Sequence, residues 1–154
     1  MIHVIDDDMM FFRLIEYMLG GTGHEIFCFM SGEEYLEYLH SPLFQKPSII
    51  LCDIRLPETG GHDLVLEIRK KLPFQKIVQI NNDTGTDRNQ HTESQLCYML
   101  YKPVPYRYFI SVINSLSACE DAQKSEAASE YSLKCAFGLN HACPFHESKR
   151  LNPA

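Results

Sequence analysis

The chain has 154 residues, 45% of them hydrophobic and 22% charged, enough for one domain with a proper core and a tail. A net charge of −6 argues against a non-specific grip on nucleic acid, and no apolar run approaches the roughly 18 residues of a membrane span. The acidic triplet Asp6-Asp7-Asp8 directly after the first short apolar run is not the pattern of a secretory signal.

Strand and helix signals alternate along the chain. Ile2 to Ile5 reads as a buried strand. Phe11, Leu14, Ile15, Met18 and Leu19 then recur at helical spacing, and Gly20-Gly21 stops that helix. His24 to Phe29 reads as a second strand. Ser31-Gly32-Glu33-Glu34 is a capping box, with Ser31 as cap and Glu34 reaching back. Tyr35, Leu36 and Leu39 give the second helix its apolar face, and Pro42 ends it. Ser48 to Cys52 is the third strand. Gly60-Gly61 opens a helix bearing Leu64, Val65, Ile68 and Leu72, closed by Pro73. Lys76 to Ile80 and Tyr98 to Tyr101 read as the fourth and fifth strands, and Phe109, Val112, Ile113 and Leu116 as the last apolar helical face. Five βα units imply a parallel sheet with helices on both faces. The fourth crossover does not fit the pattern. Asn81 to Gln95 has no large apolar residue, so it lacks a stripe to dock and reads as a short, frayed helix in a long mobile loop. Six cysteines do not make a disulfide framework here. Cys28, Cys52 and Cys97 lie in apolar runs and are expected to pack as small hydrophobes in a reducing cytoplasm.

Three of the strand-like runs stop at charges: Asp6-Asp7-Asp8, Asp53 and Lys102-Pro103. Ligands of open α/β sheets bind at the carboxyl ends of the strands. One parallel sheet would therefore gather Asp6, Asp7, Asp53 and Lys102 on one edge. Any one of them alone reads as a solvated strand-end charge; the joint pattern does not. Three close carboxylates resist full ionisation unless a cation joins them, and Mg²⁺ is usually held by one or two carboxylates plus phosphate. An aspartate can attack phosphorus itself, and a lysine can neutralise phosphoryl oxygens.

Over residues 1 to about 119, these motifs make the chain resemble a receiver domain of two-component response regulators. The matching residues are Asp6-Asp7 after the first strand, Asp53 after the third, Pro57 and Gly61 four and eight residues further on, and Lys102-Pro103 after the fifth. The resemblance implies a flavodoxin-like α/β sheet in the order 2-1-3-4-5. It implies phosphoryl transfer to Asp53 from a sensor histidine kinase or phosphotransfer protein. It also implies Mg²⁺ among Asp6, Asp7, Asp53 and the backbone carbonyl of Arg55, and a cis peptide before Pro103. Two positions depart from the family pattern. Asn81, followed by Asn82, stands where a Ser or Thr is expected at the end of strand four; its amide can still donate to a phosphoryl oxygen. Met99 stands where an aromatic switch residue is expected, and the neighbouring Tyr98 should face the other side of the sheet. The phosphorylation chemistry looks intact while its readout, by the fourth crossover, fifth strand and last helix, looks altered.

Residues 120–154 read as a C-terminal tail, beginning with a polar, linker-like or weakly helical stretch. Cys135, His141, Cys143 and His146 offer four zinc-type donors, but Cys-x5-His-x-Cys-x2-His matches no standard finger. The first expectation is an ordered patch over 135–146 that packs Phe137 and Phe145 onto the domain or a partner; Zn²⁺ is the sharper alternative. A tail of this length is too short for a usual DNA-binding effector. The leading reading is therefore a phosphorylatable switch or phosphorelay intermediate that acts through protein contacts, homodimerisation among them, with no enzymatic, nucleic-acid or membrane output. The alternatives are a pseudo-receiver not switched by phosphate, and the receiver piece of a longer regulator. An aspartate-nucleophile phosphatase of the haloacid dehalogenase type needs an Asp two residues past its nucleophile, and Arg55 stands there.

Overall fold

The computed structural model describes residues 1–73, 75–82 and 96–124, with backbone alone for 118–124. The apolar runs become strands β1 (Ile2–Ile5), β2 (Ile26–Phe29), β3 (Ile49–Asp53), β4 (Lys76–Asn81) and β5 (Tyr98–Tyr101). The helices are α1 (Met9–Leu19), α2 (Gly32–His40), α3 (Gly61–Lys71) and α4 (Tyr106–Lys124). All strands pair in parallel in the order β2-β1-β3-β4-β5, the doubly wound flavodoxin-like arrangement.

A parallel strand covered on both faces is a near-continuous apolar run, and β1 and β3 are buried throughout. Their alternate residues feed two cores. Ile2, Val4, Ile49, Leu51, Val78 and Ile80 pack with Phe11 and Ile15 of α1 and Phe109, Val112 and Ile113 of α4. Ile5, Ile50, Cys52 and Ile77 pack with Tyr35 and Leu39 of α2 and Leu64, Val65 and Ile68 of α3. Cys52 and Cys97 are buried and Cys28 half-buried, and none of the three is in a disulfide.

Local details refine the sequence reading. On α1 it is Phe12 that is buried (3% exposed), whereas Leu14 is 41% exposed. Residues 11, 12, 15, 18 and 19 already make an apolar arc wide enough to face the sheet, and Leu14 lies just past its edge. β2 begins at Ile26 instead of His24, because Gly21 and Gly23 take positive φ values of 80° and 79° and pairing starts at Ile2–Ile26. The Ser31 cap forms, its Oγ accepting from the Glu34 amide at 3.1 Å. Glu34 reaches back to the Met30 amide, one residue before the cap, at 2.6 Å. α4 continues through Cys119 to Lys124, so the expected boundary at 119 falls inside a helix. Of the frayed helix expected over Asn81 to Gln95, Asn81 is instead the last residue of β4, and residues 83–95, like the Cys135–His146 patch, lie outside the described residues. Among the described residues, no helix is long and apolar enough to cross a membrane.

β1 carries one polar side chain into the core. His3 is fully buried, stacked on Phe27 and edged by Phe29 and Tyr35, with Nδ1 3.1 Å from the Tyr35 hydroxyl. Burial, and then the N-terminal ammonium, lower its pKa to about 4. The unfolded chain therefore binds this proton near pH 6.5 and the folded chain only near 4. The stability His3 contributes is complete above 6.5 and lost as pH falls towards 4. Between pH 7 and 5, wild type should lose about 2 kcal/mol more than His3→Phe, read from urea midpoints. Equal losses in the two proteins would show that His3 is not held neutral.

Candidate functional site

The sheet's register places the charged residues. β1 and β3 run in step from Ile2–Ile49 to Ile5–Cys52, so Asp6 and Asp53 end their strands side by side. Asp6 is fixed by its amide donating to the Phe29 carbonyl at 3.1 Å. β4 and β5 end at Asn81–Tyr101, and the Lys102 amide donates to the Asn81 carbonyl at 2.7 Å. The peptide before Pro103 is cis.

Lys102 Nζ donates to Asp6 Oδ2 at 2.7 Å and to Asp53 Oδ2 at 2.8 Å, so one ammonium bridges two carboxylates. The other oxygen of each acid meets a backbone amide two residues on: Asp6 Oδ1 accepts from Asp8 at 2.9 Å, and Asp53 Oδ1 from Arg55 at 2.6 Å. The acids are 1% and 3% exposed. Burial pushes Asp6 up to about 6, against the pull of the Lys102 bond, and the nearby Asp53 charge adds to the rise. Burial would lower Lys102, but its bonds to Asp53 and Asp6 outweigh that and raise it. Nζ also lies 4.1 Å from the Phe11 ring centroid, a cation–π contact on the dry side of the ammonium.

The loop after Asp53 is anchored along its length. Ile54 and Leu56 turn into the protein while Arg55 turns out. The Ile54 amide donates to the Ile80 carbonyl at 2.9 Å, and the Gly61 amide closes the loop onto the Ile54 carbonyl at 3.1 Å. Gly61 sits so close that an added Cβ would overlap the Asp53 carbonyl oxygen and lie 2.6 Å from Ile54 Cα.

Of the residues expected at the site, the structure draws Asp6, Asp53 and Lys102 into contact. Asn81 is buried at the end of β4. Asp7 is not drawn into that contact. It is exposed beyond the end of β1, and among the described residues no group of three His, Cys, Asp or Glu side chains is placed to hold a metal ion. Asp7 follows the end of β1, in the bend that leads to the Asp8 cap of α1. Met99 packs with the α2–α3 core and accepts from the Tyr101 hydroxyl at 3.3 Å. Tyr98 packs on the opposite core and pairs with the Tyr108 hydroxyl, as strand parity demands. Residues 135–146, with Cys135, His141, Cys143 and His146, lie outside the described residues. The sequence reading missed two contributors. Asp8 caps α1 by accepting from the Met10 amide at 2.9 Å, and an Asp just before a helical run is a usable cap signal. Phe11 carried no signal beyond its place in the first turn of α1.

The sequence model described as "Response regulator receiver domain" matches residues 2–114. The chain belongs to that family. Solved receiver domains share its fold. One from Clostridium thermocellum is 22% identical with a TM-score of 0.69, covering 78% of this chain and 95% of its own. A CheY-like one from Methanospirillum hungatei is 23% identical with a TM-score of 0.67, at the same coverages. The N-terminal domain of a response regulator/sensory box/GGDEF protein from Carboxydothermus hydrogenoformans is 19% identical with a TM-score of 0.71, covering 80% of this chain and 98% of its own. This receiver domain thus serves two-component signalling. Its charged edge lies at the carboxyl ends of the strands, where the fold binds ligands.

Proposed function

We propose that the receiver domain accepts a phosphoryl group on Asp53 from a histidine kinase or phosphotransfer protein and signals through protein contacts. The observation that carries this is the Lys102 ammonium bridging Asp6 and Asp53 at the sheet edge. Asp53 Oδ2 would attack the phosphorus of a phosphohistidine. The new O–P bond forms as the N–P bond breaks, and the imidazole leaves. Lys102 Nζ, already 2.8 Å from Oδ2, then has the incoming phosphoryl oxygens within reach and trades a carboxylate contact for one of them.

The donor set fits Mg²⁺. Two buried carboxylates on neighbouring strands, one of them pushed up to about 6, call for more positive charge than one lysine supplies. A hard cation usually takes one or two carboxylates and completes its shell with waters and phosphate. Asp6, Asp53 and the Arg55 carbonyl would hold it, with Asp7 close enough in sequence to add a ligand or a water-mediated one. When bound, Mg²⁺ supplies charge neutralisation for the phosphoryl oxygens. Asn81, at the next strand end, would add an amide donor.

Incubation with Mg²⁺ and a small phosphodonor should add the mass of one phosphoryl group, confined to the peptide carrying Asp53. Asp53→Asn should abolish it. Equal labelling of Asp53→Asn would move the acceptor elsewhere. An unlabelled wild-type protein would favour the second reading, a pseudo-receiver, for which Met99 bonded to Tyr101 at the switch position speaks.

A further inference from the structure

α2 reaches across to the loop that follows Asp53. Glu33, in the first turn of α2, accepts with the same Oε1 from both the Thr59 amide, at 2.9 Å, and the Thr59 hydroxyl. Beside it the helix backbone touches the loop. A Cβ added at Gly32 would lie 3.3 Å from Thr59 Cβ and 3.4 Å from the Thr59 carbonyl oxygen. Glu58, the residue before Thr59, has a φ of 60°, a left-handed conformation that costs a non-glycine residue energy and needs its surroundings to hold it.

Nearer Asp53 the loop is held in other ways, among them the Arg55 amide donating to Asp53 Oδ1. Ile54 and Leu56 are buried, and Gly61 closes onto Ile54. At the tip, a polar side chain from a different βα unit does the holding. That unit is itself tied to the site, because the Phe29 carbonyl at the end of β2 accepts from the Asp6 amide. The capping pair Ser31 and Glu34 fixes the helix start from which Glu33 projects. The Thr59 hydroxyl bond, first among the causes, holds the Glu33 carboxyl below its ordinary range, so the acid is ionised and its bonds to the loop are charge-assisted.

We infer that Glu33 is a positioning residue for phosphoryl acceptance: by clamping Thr59 it fixes the loop that presents the Arg55 carbonyl beside Asp53. This rests on the reading of Asp53 as phospho-acceptor. Glu33 touches neither the phosphoryl group nor the metal. It acts through Thr59, and its loss frees the Glu58–Thr59 tip to relax.

The test uses the 154-residue chain in wild-type form and as Glu33→Ala, Glu33→Gln, Thr59→Val, Thr59→Ser and the Glu33→Ala/Thr59→Val double variant. Two quantities are read: the initial rate of Asp53 labelling by phosphoramidate across a Mg²⁺ titration, and the thermal midpoint in chelator. Glu33→Ala and Thr59→Val should each lower the rate about tenfold, the scale on which a displaced positioning group acts, and raise the Mg²⁺ needed for half-maximal rate. The double variant should be no slower than the worse single, because one contact is being removed twice. Thr59→Ser should restore the rate, and Glu33→Gln, which keeps an acceptor oxygen, should retain most of it. Thermal midpoints in chelator should stay close to wild type. Wild-type rates in Glu33→Ala would overturn the inference, as would additive losses that follow the thermal midpoint. Failure to label wild type would instead overturn the assignment of Asp53, and this inference with it.

Discussion

Gly61→Ala is expected to destabilise the domain by about 3 kcal/mol and to abolish labelling of Asp53. The cause is local. The new methyl would overlap the Asp53 carbonyl oxygen and stand 2.6 Å from Ile54 Cα, and both obstacles are backbone. A flexible side chain could swing aside, but Asp53 is the last residue of a central strand and Ile54 is hydrogen-bonded to Ile80. Relief must come from moving α3 off the sheet or shifting the strand end. The first opens the core around Leu64 and Ile68, and the second misplaces the Asp53 carboxylate. Gly60→Ala is the control. Its φ is −58° and nothing lies within 4 Å of an added Cβ, so its urea midpoint should match wild type. A Gly61→Ala midpoint equal to that of Gly60→Ala would mean that the loop yields at little cost.

The contrast between these neighbouring glycines marks what the sequence could and could not tell. Gly60-Gly61 was readable as the start of a helix, and the family resemblance singled out Gly61. That one glycine is a close backbone approach and the other merely open ground depends on where Asp53 ends its strand, which no local pattern encodes. Strand identity was legible because burial on both faces forces continuous apolar runs; β1 and β5 match their expected bounds residue for residue. The grouping of Asp6, Asp53 and Lys102 was legible for the same reason, since parallel strands bring their carboxyl ends to one edge. Asp7 lies outside that contact, exposed just past the end of β1, and an acidic pair in the sequence does not say which of its two members the turn carries inward. Glu33 was passed over because an acid in a first helical turn needs no partner to be favourable there. Its bond to Thr59 spans two βα units, and periodicity within one segment carries no information about that.

Removing the lysine charge should be the other large effect. In chelator, Lys102→Met is expected to unfold about 3 kcal/mol more easily than wild type, the scale of breaking a buried ion pair from one side. The methionine keeps most of the stem's length, so what is lost is the charge, which lies over the Phe11 ring. Asp6 and Asp53 are then left as two buried acids, each still bonded to a backbone amide but with no cation between them. Two additions should repair the loss by different routes. Asp6→Asn in the same chain removes one of the opposed charges and should recover most of the stability. Mg²⁺ should recover it in the single variant by binding the folded state alone, with a midpoint that climbs with the logarithm of its concentration. The climb should be steeper at low concentration than in wild type, because no ammonium competes for the carboxylates. Equal midpoints for Lys102→Met and wild type in chelator would show that the two acids tolerate each other without the lysine. The bridge would then be a consequence of the site's geometry and no part of what holds it together.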